Sequence, residues 1–411
     1  MKTVGIVVEY NPLHNGHVLH YQKSKAVTGA DAVVAIMSGP FLQRGEPAIV
    51  SKRARTEMAL LMGVDLVVEL PISYAVQPAE WFAHGAVATL NATGVVDDLC
   101  FGSESGSLDL ISPLAQKLAL ESRALQVEID KRLQEGLNFP AAYGAAAASV
   151  CGDSEASTDE LQKLLTQPNN SLGLHYLMAL EHLQSPITPY TIPRESAQYH
   201  DPLPGSSSIA SATSIRNMIL ADGLEGAAPY IPDYTYEILK QEFSDGQGPV
   251  TWERFRQPLF HTLLTHTSQQ LEQHLEVTEG LEYRLQRILP QLETPTVEHL
   301  LVALKTKRYT RTKLQRMLLH IMLNHRKSEM NPAALTLGPG YIRILGFNAT
   351  GRVLLRRMKT TATLPIIHQP ADLTHPQLQQ DTMAQAVYAN AFAAPDTRKF
   401  YSDYLLPPII L

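Results

Sequence analysis

The sequence predicts an α/β fold, in which a doubly wound parallel sheet is followed by a mostly helical and mixed C-terminal region. In the first hundred residues, short and strongly apolar segments alternate with amphipathic ones, as parallel strands covered by helices on both faces require. From Phe255 to Leu323 the chain is rich in Leu, His and Gln at helical spacing. Its 411 residues suit two or three domains, and we expect divisions at residues 1–225, 226–330 and 331–411.

Each element of this fold follows from a local pattern. Apolar segments predict strands at Thr3–Val8, Asp31–Ile36, Asp65–Leu70, Asp97–Phe101 and Pro189–Pro193. Helical spacing predicts helices at Gly16–Val27, Ser51–Met62, Pro78–Leu90, Pro113–Gly136, Ala141–Ser149, Glu160–Leu183 and Ser211–Ala221, with an interruption of Glu160–Leu183 near Pro168. Composition makes Pro202–Ser208 a loop. The turn Gly346–Gly351, between two apolar and basic segments, is typical of a hairpin.

Composition excludes several classes of protein. The two cysteines, Cys100 and Cys151, are too few for a disulfide framework or a four-cysteine zinc site, so we expect a reducing, cytoplasmic environment. No apolar stretch reaches the ~18 residues of a membrane span, and we expect no membrane partner. The phosphate-binding loop of P-loop enzymes, the dinucleotide fingerprint and the Cys-x-x-Cys pair are all missing from the sequence.

The net charge of −6 hides an uneven distribution. The window from Leu301 to Thr360 holds thirteen Lys or Arg residues and one acid, Glu329, so it carries +12. The rest of the chain, with 21 basic and 39 acidic groups, carries −18. A strongly basic segment on an acidic body indicates a polyanion partner such as a nucleic acid. The alternative is a solvated helix surface that happens to be basic.

The segment Glu9–His17 carries the clearest chemistry. It follows the first strand and opens the first helix, which is where α/β sheets bind ligands. His14 and His17 are three residues apart and share one face of the helix start, while Gly16 permits a close approach to the backbone. The free N–H groups of a helix N-terminus favour phosphate, and two imidazoles can donate hydrogen bonds to phosphoryl oxygens. Alternatively, the two histidines could be part of a metal site or simply polar surface residues.

The sequence His-x-Gly-His after the first strand resembles the signature of HIGH-type nucleotidyltransferases, which activate a substrate on the α-phosphate of ATP. A second element of that superfamily is a hydroxyl-rich turn with a basic residue that opens a later helix. Ser211-Ala-Thr-Ser-Ile-Arg216 is similar to it. The hydroxyls of Ser211 and Thr213 and the guanidinium of Arg216 suit a clamp on the β- and γ-phosphates. Ser211 or Thr213 could also simply cap the helix.

Five further blocks extend the resemblance from Val4 to about Arg357 in one order. They are Met37–Pro47, Asp65–Pro71, Phe101–Ser105, Pro168–Gly173 and Gly340–Phe347. Together they resemble the bacterial tRNA(Met) cytidine acetate ligases. The resemblance implies a Rossmann-like HIGH-type catalytic domain, a helical region, and a C-terminal region that contributes to tRNA binding. It also implies an enzyme that joins acetate to ATP as acetyladenylate and acetylates N4 of the wobble cytidine of elongator tRNA(Met).

The resemblance assigns His14 and His17 to catalysis and a larger set to ATP binding. That set comprises Val7, Val8, Glu9, Tyr10, Asn11, Pro12, Leu13, His14, Asn15, Gly16, His17, Val18, Leu19, His20, Gly102, Asn169, Arg194, Ser211, Thr213 and Arg216. Asn170 could take the role assigned to Asn169, and Glu195 the role assigned to Arg194. From the residues alone, Gly102 could form a turn, Asn169 a helix cap and Arg194 an ion pair. We expect Mg²⁺ with the ATP phosphates and no dedicated metal site.

The resemblance implies that the basic window from Leu301 to Thr360 forms the surface that binds tRNA. We expect no DNA partner. The residues of this surface are Lys305, Lys307, Arg308, Arg311, Lys313, Arg316, Arg343, Arg352, Arg356 and Arg357. The first six are spaced to place most of their charge along one helix, and the others flank the predicted hairpin. Two other functions remain open: a small-molecule adenylyltransferase of the pantetheine-phosphate or nicotinamide-mononucleotide type, and an RNA-binding protein with a decayed nucleotide site.

Overall fold

The computed structural model describes residues 1–109, 111–120, 122–137, 139–150, 165–194 and 209–411. The predicted loop Pro202–Ser208, the alternative site residue Glu195, and Cys151 lie outside these ranges. The strands are β1 Thr3–Val8, β2 Ala32–Ser38, β3 Leu66–Leu70, β4 Asp98–Ser103, β5 Thr188–Pro193, β6 Ile342–Phe347, β7 Ile366–Ile367 and β8 Ile409–Ile410. The predicted strands are therefore confirmed to within a few residues.

All of these strands belong to one sheet, whose order is β5-β4-β1-β2-β3-β6-β7, with β8 also paired to β6. Strands β1 to β5 are parallel, while β6 runs antiparallel to β3. This confirms the doubly wound parallel sheet and adds an antiparallel extension from the C-terminal region. The chain changes direction across the sheet between β1 and β4, so the ligand crevice is expected at the carboxyl ends of these two strands.

Helices cover both faces of the sheet and form most of the remaining chain. They are α1 Asn15–Thr28, α2 Lys52–Met62, α3 Ile72–Ala75, α4 Ala79–Thr93, α5 Ile111–Leu120, α6 Ser122–Gln134, α7 Phe139–Val150, α8 Pro168–His182, α9 Ala212–Asp222, α10 Asp233–Ser244, α11 Arg256–Thr265, α12 Ser268–Glu272, α13 Leu281–Ile288, α14 Val297–Leu304, α15 Arg311–Met322, α16 Pro332–Thr336, α17 Ala349–Thr361, α18 Pro376–Ala389, α19 Thr397–Phe400 and α20 Ser402–Leu405. None of these described helices combines the length and apolarity of a membrane span.

Alternation along β2 shows how the sheet is buried on both faces. Its residues Ala32, Val34 and Ile36 join the core on one face, and Val33, Ala35 and Met37 join the core on the other. A separate apolar core, between Leu259 and Ile321, stabilises the helical region. Residues 331–411 add β6, β7 and β8 to the main sheet, and the division of the chain at residue 331 stays a prediction.

The predicted hairpin at Gly346–Gly351 is wrong, because β6 is followed by a helix. The Asn348 side chain accepts a hydrogen bond from the Gly351 N–H at 2.9 Å and so caps α17. At Gly351 a Cβ atom would collide with the backbone carbonyl of Asp65. The glycine that suggested a turn therefore serves close packing of the helix against the start of β3.

A buried cluster of four charges fixes the C-terminal segment to the sheet. Lys52 Nζ lies 2.8 Å from Glu69 Oε1 and 2.8 Å from Asp403 Oδ2. Arg343 Nη1 lies 2.9 Å from Glu69 Oε2 and 3.0 Å from Asp403 Oδ2. Two cations thus balance two carboxylates away from water, which is the arrangement that buried charge needs.

Candidate nucleotide site and basic surfaces

The loop between β1 and α1 is held from two sides. Asn11 Oδ1 accepts the N–H of Ile49 at 2.7 Å, and the Asn11 carbonyl accepts a bond from Arg216 Nη1 at 3.0 Å. The first contact fixes the loop to the segment that leads into α2, and the second brings in α9. The predicted phosphate clamp and the histidine loop are therefore adjacent, although some 200 residues separate them in sequence.

The two histidines cap α1 through their ring nitrogens. His14 Nδ1 accepts the N–H of Gly16 at 3.1 Å, and His17 Nδ1 accepts the N–H of His14 at 3.3 Å. The ring centroids lie 3.8 Å apart. Because Nδ1 of each ring accepts a hydrogen bond, each neutral imidazole carries its proton on Nε2. The pair therefore presents two Nε2–H donors.

Burial keeps these imidazoles uncharged at neutral pH. It lowers the pKa of His14 to about 4, with smaller contributions from Arg194 and Arg216. Burial also lowers the pKa of His17 well below its usual value, and that of His20 to about 4, with Arg194 adding to the effect at both. Neutral N–H donors can stabilise anionic oxygens without first losing or gaining a proton, which suits phosphoryl transfer.

Gly102, at the carboxyl end of β4, lies beside two other predicted site residues. A Cβ atom at this position would lie 3.0 Å from Arg194 Cγ and 3.9 Å from His20 Cδ2. The glycine thus leaves space between the end of β5 and α1. The Arg194 guanidinium is exposed and donates to Asn169 Oδ1, so among described residues its observed partner is an amide and not the acid of an ion pair.

The structure distinguishes Asn169 from Asn170. Asn170 is buried, and its Oδ1 accepts the N–H of Ser105 at 3.1 Å. Asn169 is partly exposed and contacts Arg194 at the crevice. Glu104, which sequence reasoning missed, accepts the backbone N–H groups of Asn169 and Asn170 at 3.2 and 2.8 Å. Glu104 supplies the helix cap that the sequence suggested for Asn169, and this leaves Asn169 as the better candidate for a nucleotide contact.

The turn before α9 caps the helix and positions Arg216, while its role as a phosphate clamp stays a prediction. Ser211 caps the helix by accepting the N–H of Ser214 at 3.1 Å, so the capping role is confirmed. Arg216 Nη2 lies 3.2 Å from Glu46 Oε2 and 3.4 Å from Thr213 Oγ1. Its guanidinium therefore joins α9, the histidine loop and the Gly39–Pro47 loop that follows β2.

Two of the predicted tRNA contacts are wrong because their side chains are buried. Arg343 has a side chain 4% exposed and belongs to the buried charge cluster with Glu69 and Asp403. Arg316 has a side chain 10% exposed and is paired with Glu276, with 2.8 Å between Nε and Oε1. Neither guanidinium can reach a phosphate without exposing a partner carboxylate.

Five of the predicted tRNA contacts remain in the first half of the window, and we name them the helical basic surface: Lys305, Lys307, Arg308, Arg311 and Lys313. They are not carried by one helix, because residues 305–310 connect α14 to α15. Arg308 and Arg311 form double hydrogen bonds with Glu279 and Glu298. Lys305 and Lys307 are exposed, and neither forms an ion pair with a described residue. Two of the five positive charges of this surface are thus neutralised by neighbouring glutamates.

The second half of the window forms a different surface, the α17 basic surface: Arg352, Arg356, Arg357 and Lys359. Asn348 Nδ2 donates to Asp65 Oδ1 at 2.9 Å, and Arg357 Nη1 donates to the Met1 carbonyl at 3.4 Å. Asp65 and Met1 precede β3 and β1, so α17 crosses the amino ends of these parallel strands. The α17 basic surface therefore lies at the edge of the sheet opposite to the nucleotide crevice.

The helical basic surface adjoins the crevice through the Gly39–Pro47 loop. Gly45 lies against the backbone of Gln315 and Arg316 on α15, where a Cβ atom would collide with it. Glu46 Oε1 accepts a bond from Gln315 Nε2 at 3.3 Å, while Oε2 is paired with Arg216. This loop connects the predicted phosphate clamp to the helix that follows the exposed lysines.

A cavity between α13 and the end of α14 is lined by two arginines that lie outside the basic window of residues 301–360. Its volume is about 390 Å³, and Arg284, Arg287 and Ala303 contribute to its wall. The two arginines lie in α13, before residue 301, so a window based on net charge passed over them. In the part of the chain that the structure describes, no group of three His, Cys, Asp or Glu residues is placed to hold a metal ion.

Comparisons with known proteins agree on one family. The family model described as HIGH Nucleotidyl Transferase matches residues 1–403. The chain is 41% identical to a tRNA(Met) cytidine acetate ligase of Geobacillus sp. (strain WCH70), with 100% of both chains covered. It is 40% identical to one of Thermoanaerobacter sp. (strain X514), with 95% and 96% of the two chains covered.

A solved structure supports the same conclusion at the level of the fold. Thermotoga maritima TmcAL bound with alpha-thio ATP is 34% identical to this chain, covers 100% of both chains, and superimposes with a TM-score of 0.90. The apo form of the same protein gives the same values. The chain therefore belongs to the tRNA(Met) cytidine acetate ligases, within the HIGH nucleotidyltransferase family.

Proposed function

We propose that this protein is an ATP-dependent ligase that forms acetyladenylate from acetate and ATP. It then transfers the acetyl group to N4 of the wobble cytidine of elongator tRNA(Met). The observation that carries the proposal is the pair of uncharged, Nε2–H-bearing imidazoles, His14 and His17, at the start of α1. Family membership supports the substrates, because the relatives are named for them and the Thermotoga protein binds an ATP analogue.

In the first step, an acetate oxygen attacks the α-phosphorus and the bond to pyrophosphate breaks. His14 and His17 would donate hydrogen bonds to the oxygens on which negative charge grows. Arg194 and Arg216 approach the crevice from β5 and α9 and would hold the phosphates. Gly102 leaves the space that a nucleotide at the end of β4 needs. Mg²⁺ would be held mainly by the phosphates, as is usual for this ion.

The tRNA would bind along the helical basic surface, which leads to the crevice through the Gly39–Pro47 loop. Lys305 and Lys307, together with Arg284 and Arg287 beside the cavity, offer charge to the phosphate backbone. Such contacts dominate affinity and weaken as salt rises. Recognition of the anticodon loop would also require stacking and hydrogen bonds to base edges.

The proposal is tested by incubating the protein with ATP, labelled acetate and total bacterial tRNA, followed by nucleoside analysis. We expect label in N4-acetylcytidine and in no other nucleoside. Activation of a different acid without labelled RNA would instead indicate a small-molecule adenylyltransferase. His17→Ala should reduce acetate-dependent pyrophosphate exchange at least about 100-fold, because a transition-state donor is lost. Its tRNA affinity should stay within about twofold, and His368→Ala, at an exposed histidine, is the control.

A further inference from the structure

Glu9 is the first residue after β1, and its carboxyl group is held in a defined position. Glu9 Oε1 accepts the N–H of Gln43 at 2.8 Å and lies 3.4 Å from Ser38 Oγ. Its backbone carbonyl accepts a bond from Arg55 Nη1 at 2.8 Å. The side chain is thus fixed between the ends of β1 and β2, beside both the histidine loop and the Gly39–Pro47 loop.

The second carboxylate oxygen is available to a ligand. Glu9 Oε2 accepts no hydrogen bond from a described residue, and Glu9 forms no ion pair with one. The side chain also retains partial exposure. A carboxylate with one oxygen fixed by the protein and the other without a hydrogen bond from the described residues is arranged to accept a hydrogen bond from a bound molecule.

Acyl transfer to cytidine requires such an acceptor. The N4 nitrogen forms a bond to the acetyl carbon, the bond from that carbon to the AMP oxygen breaks, and N4 loses one proton. The described groups that surround the crevice are mostly occupied: His14 and His17 accept backbone bonds at Nδ1, and Glu46 and Glu104 are held by their partners. Carboxylates are good acceptors for the N4 amine of cytosine.

We propose that Glu9 accepts a hydrogen bond from the cytidine N4 amine and takes its proton during acetyl transfer, which makes it a catalytic residue of the second step. This inference rests on the proposed function. It adds to that function a place for the cytidine, which would bind at the ends of β1 and β2. The nucleotide's side of the crevice is then the edge formed by α1, Gly102 and Arg194.

The surroundings of Glu9 support this role as a base. Burial raises its pKa, while the Gln43 N–H and then Arg55 act in the opposite direction. Glu46 and Arg44 in the Gly39–Pro47 loop have weaker, opposed effects, and Tyr176 on α8 also faces the carboxylate. A raised pKa makes a carboxylate a stronger base, which favours proton transfer near neutral pH.

The test measures the two steps separately in the full-length protein. Glu9→Gln keeps an oxygen that can accept the Gln43 N–H but removes the basic group. Because Glu9 also belongs to the predicted ATP loop, acetate-dependent pyrophosphate exchange is measured in the same variant, and we expect its loss to be at least about tenfold smaller than the loss in transfer. Single-turnover transfer from synthetic acetyladenylate to tRNA should fall at least about 100-fold, and Glu9→Asp should recover part of it. Glu237→Gln, at an exposed glutamate of α10, is the control.

The pH profile adds a readout that a purely structural role would not change. Wild-type transfer should rise as pH increases through the pKa of Glu9, because only the deprotonated carboxylate accepts a proton. In Glu9→Gln this limb should disappear. Wild-type transfer rates in Glu9→Gln, or equal losses in exchange and transfer, would overturn the proposal. Failure of the wild-type protein to make acetyladenylate would instead overturn the proposed function, and this inference with it.

Discussion

The two basic surfaces come from one continuous charge window, yet they lie at opposite edges of the sheet. The helical basic surface adjoins the carboxyl ends of the strands through Gly45 and Glu46, where we expect the nucleotide to bind. The α17 basic surface crosses the amino ends, beside Asp65 and Met1. Strands of five to seven residues separate these edges by about 15–20 Å. Charge density in a sequence thus predicts a class of partner without predicting the face that binds it.

The two halves also differ in how their cations are used. In the first half, Arg308 and Arg311 are paired with exposed glutamates, whereas Lys305 and Lys307 have no such partner among described residues. In the second half, Arg343 is buried with its carboxylates, and Arg352 and Arg356 face solvent. Three predictions follow from this difference. Each tests whether the position and the ion pairing of a basic residue decide its contribution to stability or to tRNA binding.

The largest effect is expected at Arg343. Arg343→Met would leave Glu69 and Asp403 buried with Lys52 alone, and breaking a buried ion cluster in this way costs about 3–5 kcal/mol of unfolding free energy. Urea denaturation measures the loss. The affinity of the folded fraction for tRNA should not change, since this side chain does not reach the surface. Arg352→Met, on exposed α17, should alter stability by less than about 0.5 kcal/mol.

The second largest effect is expected on tRNA affinity, when the two basic surfaces are neutralised in turn. Replacing Lys305 and Lys307 together by alanine should weaken tRNA binding about tenfold at low salt and reduce the slope of affinity against salt by about one to two. Replacing Arg352 and Arg356 removes the same formal charge from the opposite edge and should change affinity less than about twofold. Filter binding across a salt series gives both values. A larger loss in the α17 variant would mean that the RNA approaches the amino edge.

Sequence reasoning succeeded where a local pattern specifies the structure. The alternation of apolar segments predicted β1 to β5, and the histidine motif predicted the loop between β1 and α1. It failed at Gly346–Gly351, because the reason for Gly351 is the carbonyl of Asp65, nearly 290 residues earlier. It also missed Glu104, which caps α8 from the end of β4. Such pairings depend on which elements the fold brings together, and no spacing along the chain records them.

The smallest effect is expected from the glutamates that neutralise the helical basic surface. Replacing Glu279 and Glu298 together by glutamine would release Arg308 and Arg311, and we expect tRNA to bind about threefold more tightly with a steeper salt dependence. Stability should fall by no more than about 0.5 kcal/mol per pair, because both pairs are largely exposed.

The pH dependence of these pairs has a definite sign. Arg308 and Arg311 lower the pKa values of Glu279 and Glu298 through hydrogen bonds. The contribution of each pair is therefore complete above the ordinary glutamate pKa and is lost as pH falls through the lowered value. Acidification should bring the stability of the wild type toward that of the double variant. If the double variant binds tRNA no better than the wild type at neutral pH, then Arg308 and Arg311 are structural, and Lys305 and Lys307 supply the contact from this segment.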